Sequence, residues 1–225
     1  MKILITGAGG QDGVLLIKRI LASMPDANIF ALGRNEAVFL ERLHLVGGAT
    51  LVDAFQYKSA FVICDITDSN QIKWKIEKIR PNVIFHLAAY VEPILKPEND
   101  VKVTLENMKG LIYILEACEQ IKIYPHIINA GSSLMFGRVE SGLADEKTPF
   151  RPITPYRIGK LAAHQFADIY RTNRNHRVST AILFNHESIL RDERWLPTKI
   201  ISGAIRIKFG KSEHLNLAPV FELAC

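Results

Sequence analysis

The first stretch of the chain constrains the fold more than any other part. Residues 1–6 (MKILIT) are a short apolar run of the kind found in a buried parallel strand. The glycine-rich run GAGGQDG follows at residues 7–13, and the apolar positions of residues 14–21 then predict a helix. A strand, a glycine turn and a helix in this order form the local structure that binds a dinucleotide.

Three glycines of this turn have distinct structural roles. Gly7 allows the tight turn, Gly10 lets the backbone approach a pyrophosphate, and Gly13 lets the helix pack on the strand. Gln11 and Asp12 lie at the start of the helix, where free N–H groups and the positive end of the dipole face the phosphates. The glycine spacing is G-x-x-G-x-x-G, which differs from the G-x-G-x-x-G of many such turns.

The residues after the second predicted strand bear on the choice of cofactor. Sites that prefer NAD place an acidic residue at the end of this strand, which is predicted at residues 28–32. Here Gly33 and Arg34 follow, and Glu36 is the next carboxylate. Because an arginine suits a 2′-phosphate, the sequence favours NADP, with NAD as the alternative. The less favoured alternative is that Arg34 is a solvated surface side chain.

Helical and strand patterns alternate along the rest of the chain, as in βαβ units. The predicted fold is therefore α/β, a doubly wound Rossmann-type parallel sheet with helices on both faces. Ligands of such sheets bind beyond the carboxyl ends of the strands, so residues that follow strands should share one site. Further strands are predicted at residues 61–64, 83–87, 126–130 and 178–184, with helices at 35–46, 72–79, 101–120 and 156–171. The residues expected at the common edge are Gly7, Asp65, Leu87, Ser132 and Asn185.

Tyr156 and Lys160 are the candidate chemical pair. Four residues apart in a helix, they lie on one face, one turn apart. A nearby ammonium stabilises a phenolate, so Lys160 is expected to lower the pKa of Tyr156. Such a tyrosine can take a proton from an alcohol while a hydride leaves the same carbon. The same spacing also arises by chance, so the pair gains weight only beside the glycine turn.

Composition narrows the function classes. The 225 residues suit one domain, or one domain and part of a second, and no apolar run is long enough for a membrane span. The net charge of +5 is spread along the chain, so no nucleic-acid partner is expected. The glycine turn interrupts any signal-peptide pattern, and the cysteines lack metal spacing. A cytoplasmic protein without a metal is therefore expected. The three cysteines are Cys64, Cys118 and Cys225.

With these residues placed, the chain resembles the extended short-chain dehydrogenase/reductase superfamily and, within it, the GDP-mannose 4,6-dehydratases. The likeness is carried by TGAGGQDG at residues 6–13, PYRIGK at 155–160 and ILFNHES at 182–188. It implies an NADP-dependent enzyme that acts on a nucleotide sugar, with a GDP-linked sugar as the candidate substrate. It also implies a homodimer formed through the helices predicted at residues 101–120 and 156–171.

The resemblance also implies roles for single residues. Tyr156 would be the base, Lys160 would tune it and contact the ribose, and the Ser132 hydroxyl would bind the sugar C4 oxygen. Ser132 could otherwise be a turn serine, and Asn185 would contact substrate or cap a turn. Cofactor contacts are implied, besides the glycine turn and the Tyr/Lys pair, at Arg34, Asp65, Ile66, Leu87, Ala88, Ala89, His186 and Arg191.

Two departures from the family pattern modify this expectation. The dehydratases carry a glutamate two residues after the Ser/Thr hydroxyl, and this chain has Leu134 there. Elimination of water needs a proton donor and a base, and leucine can be neither. Glu187 or Glu92 could stand in, although nothing in the sequence favours either. A C4 reductase or an epimerase is therefore expected rather than a full dehydratase.

The second departure is length. The dehydratases continue into a segment that grips the nucleotide of the sugar donor, whereas this chain ends at residue 225. The expected division is an NADP-binding domain at residues 1–190 and a truncated substrate segment at 191–225. The alternative to the enzyme is a non-catalytic NADP-binding module.

Overall fold

The computed structural model describes residues 1–90, 97–139 and 142–217, and it confirms the alternating order of strands and helices. Glu92, one of the two candidate substitutes for the family glutamate, lies outside the described residues, as do residues 218–225 of the proposed substrate segment. The strands are β1 Lys2–Thr6, β2 Asn28–Gly33, β3 Ala60–Ile63, β4 Val83–His86, β5 His126–Ala130 and β6 Val178–Ala181. The α-helices are α1 Gln11–Ser23, α2 Glu36–Lys58, α3 Ser69–Ile79, α4 Asp100–Gln120, α5 Pro155–Asn173 and α6 Leu196–Lys208.

The six strands form one parallel sheet in the order β3-β2-β1-β4-β5-β6. The order runs outward in opposite directions from β1 and β4, and the crevice beyond that switch point is where such sheets bind ligands. The predicted doubly wound Rossmann-type sheet is thus confirmed. Successive side chains of β1 point to opposite faces. Leu4 packs with α3, α4 and α5, whereas Ile3 and Ile5 pack with α1 and α2.

The second helix is longer than predicted. Asn35, expected as its first residue, is instead its N-cap, and its Oδ1 accepts a hydrogen bond from the Val38 amide at 3.1 Å. The backbone breaks at Gly48 (φ 68°, ψ −169°), but the helical course resumes and ends at Lys58. The reason is packing in the extension, because Phe55 is buried and its ring meets that of Phe39 at 5.0 Å between centroids.

The last strand is shorter than predicted. β6 ends at Ala181, although the apolar run continues to Phe184. The chain stays extended here, since the amides of Gly131 and Ser133 donate to the carbonyls of Ala181 and Leu183 at 2.9 and 2.8 Å. These bonds join the segment to the loop after β5 and not to a strand. The helix α6, which the sequence did not predict, follows this segment.

Smaller boundary errors occur elsewhere. β3 begins and ends one residue before the predicted range of 61–64, and β4 ends at His86 rather than Leu87. In the described part of the chain, no helix has the length and apolar character needed to cross a membrane.

Candidate active site

The turn between β1 and α1 presses against the loop after β4. Gly7 has a φ of +69°, and a Cβ added to it would lie 2.7 Å from the Ala88 amide nitrogen. A Cβ on Gly13 would lie 2.6 Å from the Gly7 carbonyl oxygen. Only glycine fits either position, as the sequence predicted. Gly9, in contrast, has Phe39 Cβ as its nearest neighbour at 3.9 Å.

The start of α1 is open to an anion. Gly10 is the N-cap, its amide donates to the Gly7 carbonyl at 2.9 Å, and no described side chain caps the first turn. On the other side of the turn, Arg42 of α2 donates to the Gly9 carbonyl at 2.7 Å and holds its backbone. A cradle that a Cβ would fill, followed by amides at a positive dipole end, fits the pyrophosphate of a dinucleotide.

Thr6 and His86 join the ends of β1 and β4, and the sequence analysis did not single them out. The Ala88 amide donates to Thr6 Oγ1 at 3.3 Å, so the Thr6 hydroxyl is free to donate to His86 Nδ1 at 2.8 Å. Burial lowers the pKa of His86 to about 3, with a smaller contribution from the charge of Lys160. The imidazole is therefore neutral. The sequence signal for this contact was the hydroxyl residue Thr6 at the end of an apolar strand.

Ser132 lies just beyond β5 and is buried. It is the N-cap of a short 3-10 turn, Ser133–Phe136, and its Oγ accepts a hydrogen bond from the Leu134 amide at 3.2 Å. That bond leaves the hydroxyl hydrogen free to donate. Leu134 thus fixes Ser132 through its backbone, while its half-buried side chain brings no group that can transfer a proton.

A close contact between α4 and α5 positions the Tyr/Lys pair. A Cβ on Gly159 would lie 2.5 Å from the Thr104 carbonyl oxygen, and Thr104 Oγ1 also donates to the Pro155 carbonyl at 3.1 Å. The first turns of α5 are therefore pinned to α4. Tyr156 and Lys160 lie in these turns, as predicted.

Lys160 is buried at the carboxyl end of β5. Its ammonium donates to the Ala130 carbonyl at 2.8 Å. Burial lowers the pKa of Lys160 to about 8, and the carboxylate of Asp12 acts in the opposite direction.

The prediction that Lys160 lowers the pKa of Tyr156 is wrong. Burial is the largest influence and raises the pKa of Tyr156 above its usual value. A hydrogen bond with the Ser132 side chain and the charge of Arg191 act to lower it, but they do not outweigh burial. The reason is that the Lys160 ammonium faces the carbonyl of Ala130. Tyr156 is consequently a neutral phenol near pH 7.

Residues 184–191, here called the strap, connect β6 to the region of α6. His186 Nε2 meets Asp12 Oδ1 at 2.7 Å, and Ser188 Oγ donates to Gln11 Oε1 at 2.9 Å. Arg191 forms an ion pair with Glu187 at 2.9 Å, and its guanidinium lies 4.3 Å from the centre of the Trp195 ring. The strap therefore contacts the first turn of α1.

The predicted site residues follow the carboxyl ends of their strands. Arg34 is exposed directly after β2, and Asn185 is exposed in the strap. Asp65 Oδ1 accepts hydrogen bonds from both the amide and the hydroxyl of Thr67, and Ile66 packs against the core. Their roles as cofactor or substrate contacts remain predictions. Leu87, Ala88 and Ala89 follow β4, with the backbone of Leu87 and Ala88 against the glycine turn.

Solved structures with the same fold include nucleotide-sugar enzymes. The chain superposes on a dTDP-glucose 4,6-dehydratase from Streptomyces venezuelae, solved with NAD, with a TM-score of 0.75 and 19% identity. The match covers 91% of this chain and 62% of that one. A UDP-glucuronic acid 4-epimerase from Bacillus cereus, in complex with NAD, gives a TM-score of 0.74 at 20% identity, covering 92% and 64%. At this identity the likeness establishes the fold.

Sequence relatives agree with the resemblance. The chain is 29% identical over 225 residues to a GDP-mannose 4,6-dehydratase of Sinorhizobium fredii, covering 95% of this chain and 61% of the relative. It is 30% identical over 226 residues to GDP-mannose 4,6 dehydratase 2 of Arabidopsis thaliana, covering 95% and 58%. It thus spans about three fifths of their length. The sequence model of GDP-mannose 4,6 dehydratase matches residues 4–220, and the chain belongs to that family.

Proposed function

We propose that this protein is an NADP-dependent enzyme that transfers a hydride at C4 of a nucleotide sugar. One observation supports the proposal. Tyr156 hydrogen-bonds with Ser132 just after β5, and the Lys160 ammonium reaches the last carbonyl of the same strand, at the sheet edge that also carries the glycine turn. When bound, the nicotinamide cofactor would accept or supply the hydride.

The side chains of the site would transfer the proton and orient the C4 oxygen. Tyr156 is a neutral phenol, so it can donate its proton to a carbonyl oxygen at C4 as that carbon is reduced. Ser132 accepts the Leu134 amide, so its hydroxyl hydrogen remains to be donated. The hydroxyl hydrogen-bonds with Tyr156 and would orient the same C4 oxygen. The Lys160 ammonium, held at the Ala130 carbonyl, would contact the ribose of the cofactor. In the oxidative direction the proton returns to Tyr156.

The state of Tyr156 supports reduction over oxidation. Because its pKa is raised, Tyr156 carries the proton that reduction needs, whereas the oxidative direction needs the phenolate. Leu134 argues separately against dehydration, because nothing on its side chain can remove a C5 proton or protonate a departing C6 hydroxyl. Glu187 is the candidate substitute for the family glutamate that lies within the described residues, and its carboxylate forms an ion pair with Arg191. We therefore propose a C4 reductase or an epimerase.

NADP is the proposed cofactor, with NAD as the alternative. Arg34 is exposed at the end of β2, where a 2′-phosphate would approach, and Glu36 begins α2. The remaining proposed contacts are Asp65, Ile66, Leu87, Ala88, Ala89, His186 and Arg191, with Asn185 toward the substrate. The proposed division into an NADP-binding domain at residues 1–190 and a substrate segment at 191–225 follows from them.

One variant and one product assay test the chemistry. Tyr156→Phe removes one oxygen and should lower the rate of NADPH oxidation with a 4-keto nucleotide sugar by about 10²–10⁴. NADPH binding, followed by its fluorescence, should survive. An unchanged rate would refute the role of Tyr156. A second assay supplies GDP-mannose and NADP, and an ordinary yield of 4-keto-6-deoxy product would refute the reading of Leu134.

A non-catalytic NADP-binding module is the second candidate, and the side chain of Leu134 favours it. Titration with nucleotide sugars separates the two, GDP-linked sugars being the first choice. If NADP binds and no nucleotide sugar does, the module is correct. Saturable binding of a nucleotide sugar supports the enzyme.

Assembly and compartment are also proposals. The helices α4 and α5 pack against each other and carry exposed apolar side chains, including Val101, Ile158 and Ile169. We propose a homodimer through these helices, which sedimentation should report as twice the 25.3 kDa of one chain. Cys64 and Cys118 are buried free thiols, which suits a reducing cytoplasm.

A further inference from the structure

The strap, residues 184–191, is joined to the glycine-turn helix by polar side chains on both partners. Ser188 Oγ donates to Gln11 Oε1 at 2.9 Å, and Gln11 Nε2 donates to the His186 carbonyl at 3.2 Å. Next to these bonds, His186 Nε2 meets Asp12 Oδ1 at 2.7 Å. The strap is thus fastened to the same turn of α1 whose amides would face the pyrophosphate.

Both ring nitrogens of His186 face an acceptor. Nδ1 lies 2.7 Å from the Phe184 carbonyl oxygen, and Nε2 lies 2.7 Å from the Asp12 carboxylate. A neutral imidazole carries one N–H and can donate to one of them, whereas an imidazolium donates to both. The geometry therefore requires the protonated ring, and loss of one proton must break one of the two bonds.

We propose that His186 and Asp12 form a proton-dependent latch that holds the strap over the cofactor site and sets how fast the dinucleotide is released. The proposal rests on the proposed cofactor, and it adds a regulation of that site. Protonation of His186 closes the latch, and deprotonation leaves the two neutral bonds of Gln11, to Ser188 and to the His186 carbonyl, to hold the strap.

The charges around His186 agree with the latch. The Phe184 carbonyl and then the Asp12 carboxylate raise the pKa of His186, against burial and the charge of Arg191. The Arg191 charge is itself offset by the ion pair with Glu187, and Lys160 lies within electrostatic reach of Asp12. Since the folded pKa is raised, the latch is complete below the ordinary value near 6.5 and is lost as pH rises through the raised one.

Stopped-flow release of NADPH from the full chain measures the effect. Between pH 6 and pH 9, release should accelerate roughly two- to fivefold, because the half-exposed pair contributes about 0.5–1 kcal/mol. His186→Gln still offers an amide N–H to Asp12 but does not titrate in this pH range. The acceleration of NADPH release that comes from the latch should therefore be absent in this variant. Any pH dependence due to Lys160 remains in both proteins, and the difference between them reports the latch. His214→Gln, at an exposed position, should follow the wild type.

Histidine NMR titration gives a readout that needs no cofactor. The His186 resonance, assigned by its loss in His186→Gln, should titrate at lower pH in Asp12→Asn than in the wild type. An unchanged titration would overturn the contact, and a His186→Gln protein with the wild-type pH dependence of release would overturn the latch. If NADPH binds at no pH, the proposed cofactor is wrong, and the NMR result still decides whether the contact exists.

Discussion

The two halves of the carboxyl edge are built on different physical principles. In the β1–α1 turn, the backbone approaches so closely that Gly7 and Gly13 accept no side chain, and the described site there is made of amides. In the β5–α5 half, Ser132 comes from the turn after β5, Tyr156 and Lys160 come from α5, and the buried Lys160 ammonium is held by a carbonyl. One half is fixed by shape and the other by burial of charge, so they should respond differently to substitution and to pH.

The largest effect is expected in the turn. Gly13→Val puts a branched side chain where a Cβ would already lie 2.6 Å from the Gly7 carbonyl oxygen, and it should cost about 3 kcal/mol of unfolding free energy. Because no charge is involved, urea unfolding should show the same loss at pH 7 and at pH 9.5.

The matched control for this variant is Gly9→Ala in the same glycine turn, where an added Cβ would have Phe39 Cβ as its nearest neighbour at 3.9 Å. It should stay within about 0.5 kcal/mol of the wild type. Equal destabilisation by Gly9→Ala and Gly13→Val would show that shape does not govern the turn.

This contrast also explains what the sequence could predict. A glycine turn is a local pattern, and residues 1–21 contain its strand, its glycines and its helix, so its geometry was correctly predicted. The doubly wound parallel sheet was correctly predicted as well, since alternating βαβ units leave few arrangements. The positions of Tyr156 and Lys160 on α5 were equally local.

The environment of the Tyr/Lys pair could not be predicted in the same way. Helical spacing gives the face on which Lys160 lies, but its acceptor, Ala130, is 30 positions earlier in the chain and becomes a neighbour only when β5 packs under α5. The influence of Arg191 on Tyr156 likewise depends on the strap. Sequence spacing therefore predicted the residues and missed the balance of burial and charge.

The next effect concerns the buried ammonium. The pKa of Lys160 falls from 10.5 to about 8 on folding, so the unfolded chain binds the extra proton between these values and stability rises with pH there. Lys160→Met lacks this proton. From pH 7.5 to pH 10, the wild type should therefore gain on the order of 2–3 kcal/mol relative to Lys160→Met in urea unfolding.

Lys73→Met, on the exposed side of α3, is the control and should keep the wild-type pH profile. If Lys160→Met also kept the wild-type pH profile, the Lys160 ammonium would not be desolvated. The β5–α5 half would then depend on charge no more than the β1–α1 turn does.

The smallest effect lies at the junction of the two halves, at His86. Its ring accepts a hydrogen bond from the hydroxyl of Thr6, the last residue of β1. Burial lowers the pKa of His86, and the charge of Lys160 lowers it further. Because the folded pKa is about 3, the wild type should lose stability as pH falls from 6.5 toward 3, by about 2 kcal/mol at pH 5. At pH 7, His86→Met should lower the free energy of unfolding by about 1 kcal/mol, because Thr6 loses its hydrogen-bond acceptor. This variant should not lose further stability as the pH falls, because it has no imidazole to protonate.

The exposed His44→Gln serves as control and should behave as the wild type. An acid loss of equal size in His86→Met would mean that this histidine is not buried neutral between the two halves, and that the two halves titrate independently.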